Sequence, residues 1–176
     1  PPPAKPTPPD PDAPLFALDP SITTGRLPNG VTYYVQAHPP DELPSEDLAL
    51  SFASGTADLS LAQSDVPNLL VAAVRTITNE YPIADRPLAK MFLDRTLIAT
   101  EIEDEDRDDA FRRMRRVATL DTQLVASPVA DHLRTWHRPD RMVVIAIGVA
   151  ATAETVARIE RTCGALPRKT AAAPEH

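Results

Sequence analysis

The chain has 176 residues, 43% of them hydrophobic, and a formal net charge of −7. That length suits one domain with tails, the apolar share excludes wholesale disorder, and the acidic balance argues against a nucleic-acid partner. The longest apolar run, Met142–Ala151, has ten residues, against the ~20 a membrane helix needs, and the single Cys163 excludes an intrachain disulfide or a Cys-rich zinc site.

Eight of the 20 prolines fall in residues 1–14. Such a stretch is short of backbone donors and apolar side chains, so it reads as an extended, polyproline-like leader or linker. A single domain is expected over 15–167, with 168–176 as a flexible tail. Pro28-Asn29-Gly30 is a turn signal and Val31–Val35 are strand formers, so Arg26–Gln36 reads as a turn and a strand. Asp47–Ser54 alternates, with Leu48, Leu50 and Phe52 on one side and Ala49, Ser51 and Ala53 on the other, the pattern of a half-buried strand. The two strands are expected to pair as an antiparallel hairpin. Asp65–Ile77 has helical apolar spacing, with Asp65 as N-cap and Pro67 in the first turn. Arg86–Ile98 and Glu101–Leu120 read as a second and a third helix, and Asp131–Trp136 as a short helical piece. Arg141–Val149 is a continuous apolar strand, expected to be buried on both faces or nearly so. Thr152–Cys163 reads as the last helix, capped by Thr152 and closed by Gly164 and Pro167. The order β-β-α-α-α-β-α has no repeat and no βαβ alternation, so the fold class is α+β.

Few residues look chemically poised. Glu101–Asp109 holds seven acids in nine residues, but it has neither the glycine nor the spacing of a calcium loop. With Arg112, Arg113, Arg115 and Arg116 behind it, it reads as a solvated helix with i,i+4 pairs Asp108–Arg112 and Asp109–Arg113. His132 and His137 are five apart and lack a third ligand, so a packing or surface role is expected of them. Ser51, Ser54, Ser60 and Ser64 occur in no G-x-S-x-G context. Cys163 lies on the apolar face of a helix, as a small buried hydrophobe rather than a nucleophile.

Two segments together resemble the pitrilysin/insulinase/mitochondrial-processing-peptidase group of zinc peptidases. Leu27-Pro28-Asn29-Gly30-Val31-Thr32-Tyr33-Tyr34-Val35 is similar to that family's opening strand, above all in its bacterial exported branch. Leu133-Arg134-Thr135-Trp136-His137-Arg138-Pro139-Asp140-Arg141-Met142, with the apolar strand that follows, is similar to a family segment in which a helix end turns into a core strand. Ser54-Gly55-Thr56 and Gly164-Ala165-Leu166-Pro167 resemble further family endings. The resemblance implies an antiparallel sheet with helices packed on one face. It also implies a zinc site of the form H-x-x-E-H, in which two histidines hold the metal and the glutamate activates a bound water.

Counted without gaps from Gly55, that motif falls on Asn68-Leu69-Leu70-Val71-Ala72. Asn68 and Ala72 then stand at the ligand positions and Val71 at the base, and the two latter side chains are expected on the strand-facing surface of the helix. The family's third ligand falls near Glu105–Arg112, with Arg112 in its place, and the stretch between the two helices looks short by a strand or hairpin. No catalytic, cofactor-binding or metal-binding residue is therefore expected, and no cofactor. The resemblance implies a non-catalytic, peptidase-like structural or interaction subunit of a larger complex, or alternatively the inactive, substrate-holding half of a two-chain zinc peptidase. Its partners would be other protein subunits, in a membrane complex or with an active peptidase chain. The implied location is periplasmic or otherwise extracytoplasmic.

Overall fold

The computed structural model describes residues 18–39, 46–60, 63–78, 87–102, 107–119, 127–148 and 150–168. The proline-rich leader and the tail after Arg168 lie outside them, as does the middle of the acidic run. Six strands form one sheet: β1 (Ile22–Arg26), β2 (Thr32–Ala37), β3 (Glu46–Phe52), β4 (Leu88–Met91), β5 (Thr96–Ile102) and β6 (Met142–Gly148). Four helices accompany it: α1 (Val66–Ile77), α2 (Arg107–Ala118), α3 (Ser127–Trp136) and α4 (Thr152–Cys163). The class is α+β as expected.

The strand order is β1-β2-β6-β3-β5-β4. Every pairing is antiparallel except β2 with β6, which is parallel, so the sheet is mixed. The expected hairpin of β2 with β3 does not form, because β6 lies between them. Its uninterrupted apolar side chains make β6 the natural centre of the sheet, and a non-local pairing displaces the local one.

The stretch expected as a helix over Arg86–Ile98 is described from residue 87, and from there it is not helical. It folds into β4, a turn and the start of β5, and the turn is closed by Phe92 N–H donating to the Arg95 carbonyl at 2.7 Å. A hairpin thus stands between α1 and α2. Thr96, Ile98, Thr100 and Ile102 point inward along β5, and the threonines break the apolar alternation that would have announced a strand. β5 then takes Glu101 and Ile102, so the third helix starts only at Arg107.

The inward side chains of the strands and the buried faces of α1, α2, α3 and α4 form one core, which includes Val35, Leu48, Leu50, Phe52, Ile98 and Val144. The helices thus share one face of the sheet. Along β6 only Met142, Val144, Ala146 and Gly148 are buried, while Val143, Ile145 and Ile147 are half-buried on the other face. The strand is covered on one side, not both.

On α4, Cys163 is buried as expected, together with Ile159, and Thr155 takes a core position that the apolar pattern did not show. Thr152 is the first helical residue rather than the cap; Ala151 holds the cap position. On α2, Asp109 accepts from Arg113 Nη1 at 2.7 Å, the i,i+4 pair that the spacing predicts. Asp108 is drawn across to α4, where Arg158 Nε donates to it at 2.7 Å, and Arg112 pairs with Asp109 at 2.8 Å. Besides the charged face, α2 has a buried one with Ala110, Phe111, Met114 and Val117.

Candidate functional site

Helix α1 follows the sheet through a short 3-10 turn at Thr56–Asp58. Gly55, at the head of that turn, lies so close to the Phe92 and Leu93 carbonyls that a Cβ would collide with them. The backbone N–H groups of Thr56 and Ala57 donate to these carbonyls at 2.7 and 2.9 Å. The β4–β5 turn is thereby tied to the start of α1, and β4, an edge strand, runs beside that helix. Leu88 and Leu93 stand out from the hairpin at 75% and 70% exposure.

The core-facing residues of α1 are Val66, Leu70, Ala73 and Val74, spaced as one helical face. Asn68 and Ala72 are exposed, and Val71 is half-buried. The expectation that Val71 and Ala72 face the strands is therefore corrected: the 3.6-residue period that buries Leu70 and Val74 turns Asn68 and Ala72, four apart, to the outside. Solvent reaches this face, so its side chains alone decide what it can hold. Alanine has no donor atom, valine no proton acceptor, and the asparagine amide carries no charge. Zinc takes thiolate, imidazole or carboxylate ligands, so the three residues do not fit it. Among the described residues no group of three His, Cys, Asp or Glu side chains is placed to hold a metal. Arg112, expected at the third-ligand position, is exposed on α2 and paired with Asp109; Glu105 lies outside the described residues.

The two histidines do come together, inside the protein. His132 is 1% exposed and His137 5%. The His137 ring stacks on Phe52 with centroids 3.9 Å apart, and the His132 ring meets it edge-on at 5.9 Å. His132 Nε2 is hydrogen-bonded with Ser54 Oγ at 3.3 Å, while its Nδ1 finds no partner among the described residues. Burial lowers the His132 pKa from its ordinary value, against the opposing pull of the Asp58 carboxylate. The shift favours the neutral ring. Ser54 is fully buried, so this serine–imidazole contact is a packing element beyond the reach of a substrate. Burial likewise pushes the Cys163 thiol up, with Thr162 and Arg115 opposing it, away from thiolate character. A cavity of about 200 Å³ opens beside this cluster between Phe52, Leu133, His137, Arg138, Met142 and Leu166. Its wall is chiefly apolar, and Arg138 is engaged by Asp140 through two bonds, at 2.9 and 2.8 Å.

The motifs that carry the family resemblance meet in one place. Asn29 is buried, and its Nδ2 donates to the Cys163 carbonyl at 2.8 Å and the Leu166 carbonyl at 3.0 Å. A turn asparagine from the first strand pair thus caps the end of the last helix, 134 residues away. Gly30 adopts φ 99° and sits against Asp140, where a Cβ would come within 2.8 Å of the Asp140 Cα. The Pro-Asn-Gly, Arg-Pro-Asp and Gly-x-Leu-Pro segments therefore form a latch that joins the ends of the domain. Sequence reasoning missed the contact because the partners are far apart in the chain.

No family profile matches the chain, and no curated protein does. Solved structures do match. The first half of the periplasmic protease PqqL from Escherichia coli superposes with a TM-score of 0.75 at 12% identity, over 90% of this chain and 49% of that one. A predicted insulinase family protease from Yersinia pestis gives 0.68 at 18% identity, over 89% and 49%. A chain of complex III2 from Candida albicans gives 0.68 at 13% identity, over 87% and 48%. The chain has the fold of a pitrilysin-like peptidase domain, and spans about half the length of these neighbours.

Proposed function

We propose that the chain is a non-catalytic, peptidase-like interaction module, a subunit of a larger protein complex in an extracytoplasmic compartment. The observation that supports this reading is the outer side of α1, which presents Asn68 and Ala72 to solvent with Val71 half-buried beside them, the residues on which the count from Gly55 puts the zinc motif. Hydrolysis of a peptide bond needs an activated water and a stabilised oxyanion, and these side chains supply neither. The motifs that carry the resemblance build the fold: the latch around Asn29 and the glycine under the β4–β5 turn. One matched neighbour is a chain of a multi-subunit assembly and another is a periplasmic protease, which supports the partner class and the compartment.

A second reading makes the chain the substrate-holding half of a two-chain zinc peptidase. Among the described residues β4 pairs with β5 alone, and its other edge beside α1, with Leu88 and Leu93 exposed, favours this reading, because an unpaired edge can accept an extended peptide strand. Purification of the tagged chain from native extract, followed by sizing and identification of bound chains, tests both. A stable assembly without an active peptidase chain supports the first reading, and a bound chain with an intact H-x-x-E-H supports the second. Recovery of the chain as a free monomer contradicts both.

A further inference from the structure

The face of the sheet opposite the helices has a regular pattern. Followed across the strands by register, Thr24, Tyr34, Ile145, Ala49, Ala99 and Leu88 form one uncharged row over all six strands. Val143 and Ile147 flank Ile145 on the central strand, and all three are only half-buried. Among the described residues no helix covers this face. Soluble proteins rarely leave a contiguous apolar patch of more than a few hundred Å² uncovered.

The rows on either side of the uncharged one differ in sign. One contains Arg26 and Lys90, the other Asp47 and Glu101. They are four residues apart along the strands, about 13 Å.

We propose that a second copy of this chain packs on this face, its own sheet turned over about a two-fold axis along the uncharged row. That operation lays apolar row on apolar row and sets the acidic row of each copy above the basic row of the other. Glu101 and Lys90 stand on the adjacent strands β5 and β4, so their side chains reach one another across sheets packed ~10 Å apart. The face is thus self-complementary, as a two-fold interface requires. The proposal names a partner for the interaction role above but does not depend on the chemistry of α1. A dimer that bound zinc would overturn that role and leave this inference standing.

Sedimentation equilibrium of the full chain from about 1 to 100 µM tests it. The expected result is a dimer, twice the 19.1 kDa of one chain. Ile145→Lys should raise the dissociation constant at least tenfold, with circular dichroism as the check on folding. Glu101→Lys changes only an exposed charge and should weaken the dimer several-fold, and Lys90→Glu added to it should restore the affinity. A monomer throughout the range overturns the proposal. So does a dimer indifferent to both Ile145→Lys and the charge reversal, which would point to pairing through the β4 edge.

Discussion

Replacing Asn29 tests whether the shared motifs act as a structural latch. Its amide holds two carbonyls at the end of α4 at 2.8 and 3.0 Å, in a buried setting. Each such bond contributes about 1 kcal/mol net, and a buried carbonyl left without its donor costs about 1–3 kcal/mol. Neighbouring losses of this kind do not simply add, so Asn29→Ala should destabilise the protein by about 3 kcal/mol. For a chain of this length that lowers the melting temperature by roughly 6–12 °C. Asn29→Asp keeps the side-chain volume but turns an acceptor toward the two carbonyls, so at neutral pH it should cost at least as much. Urea unfolding followed by circular dichroism reads both. If neither variant shifts the midpoint by more than about 0.5 kcal/mol, the end of α4 is held by packing alone and the latch argument fails.

Three further outcomes follow from buried contacts. Because the folded pKa of His132 lies below its ordinary 6.5, the unfolded chain takes up the proton first. Its contribution to stability is complete above about pH 6.5 and declines as pH falls below it, by at most ~1.4 kcal/mol per pH unit; urea midpoints between pH 7.5 and 5 should show a slope that His132→Gln flattens, and an equal slope in the variant would refute this. Glu46 Oε1 accepts from the Ala150 N–H at 2.7 Å and from Arg107 Nε at 2.8 Å, so Glu46→Ala should cost about 2–4 kcal/mol and Glu46→Gln clearly less, as read by thermal unfolding. Gly55→Ala must push the Phe92 and Leu93 carbonyls away from the 3-10 turn, and hydrogen exchange of the Thr56 and Ala57 amides should quicken; unchanged protection would show that the turn yields freely.

Much of the fold is legible in the sequence where a single physical signal dominates. Leu48, Leu50 and Phe52 alternate cleanly and lie on the inner face of β3, and the spacing of Val66, Leu70, Ala73 and Val74 marks the buried side of α1. The β4–β5 hairpin is hidden because Leu88, Met91 and Phe92 happen to fall at helical spacing, while the inward Thr96 and Thr100 disguise the strand. A four-residue edge strand with Leu88 and Lys90 turned outward buries too little to show a period of two. The place of β6 between β2 and β3 follows from pairings about 90 to 111 residues apart, which local patterns do not encode. The candidate site is legible in composition but not in orientation: the residue types at Asn68, Val71 and Ala72 are read directly, whereas their outward direction needs the packed helix. The resemblance at Pro-Asn-Gly and Arg-Pro-Asp falls on residues of the latch. Those residues hold the two ends of the domain together, and that task makes no demand on the α1 face.

Metal analysis of the purified chain, paired with a cleavage assay on an unstructured peptide, tests the central claim most directly. The account predicts zinc far below one equivalent and no cleavage that a chelator suppresses, before or after incubation with added zinc. One equivalent of tightly held zinc together with chelator-sensitive cleavage would contradict it.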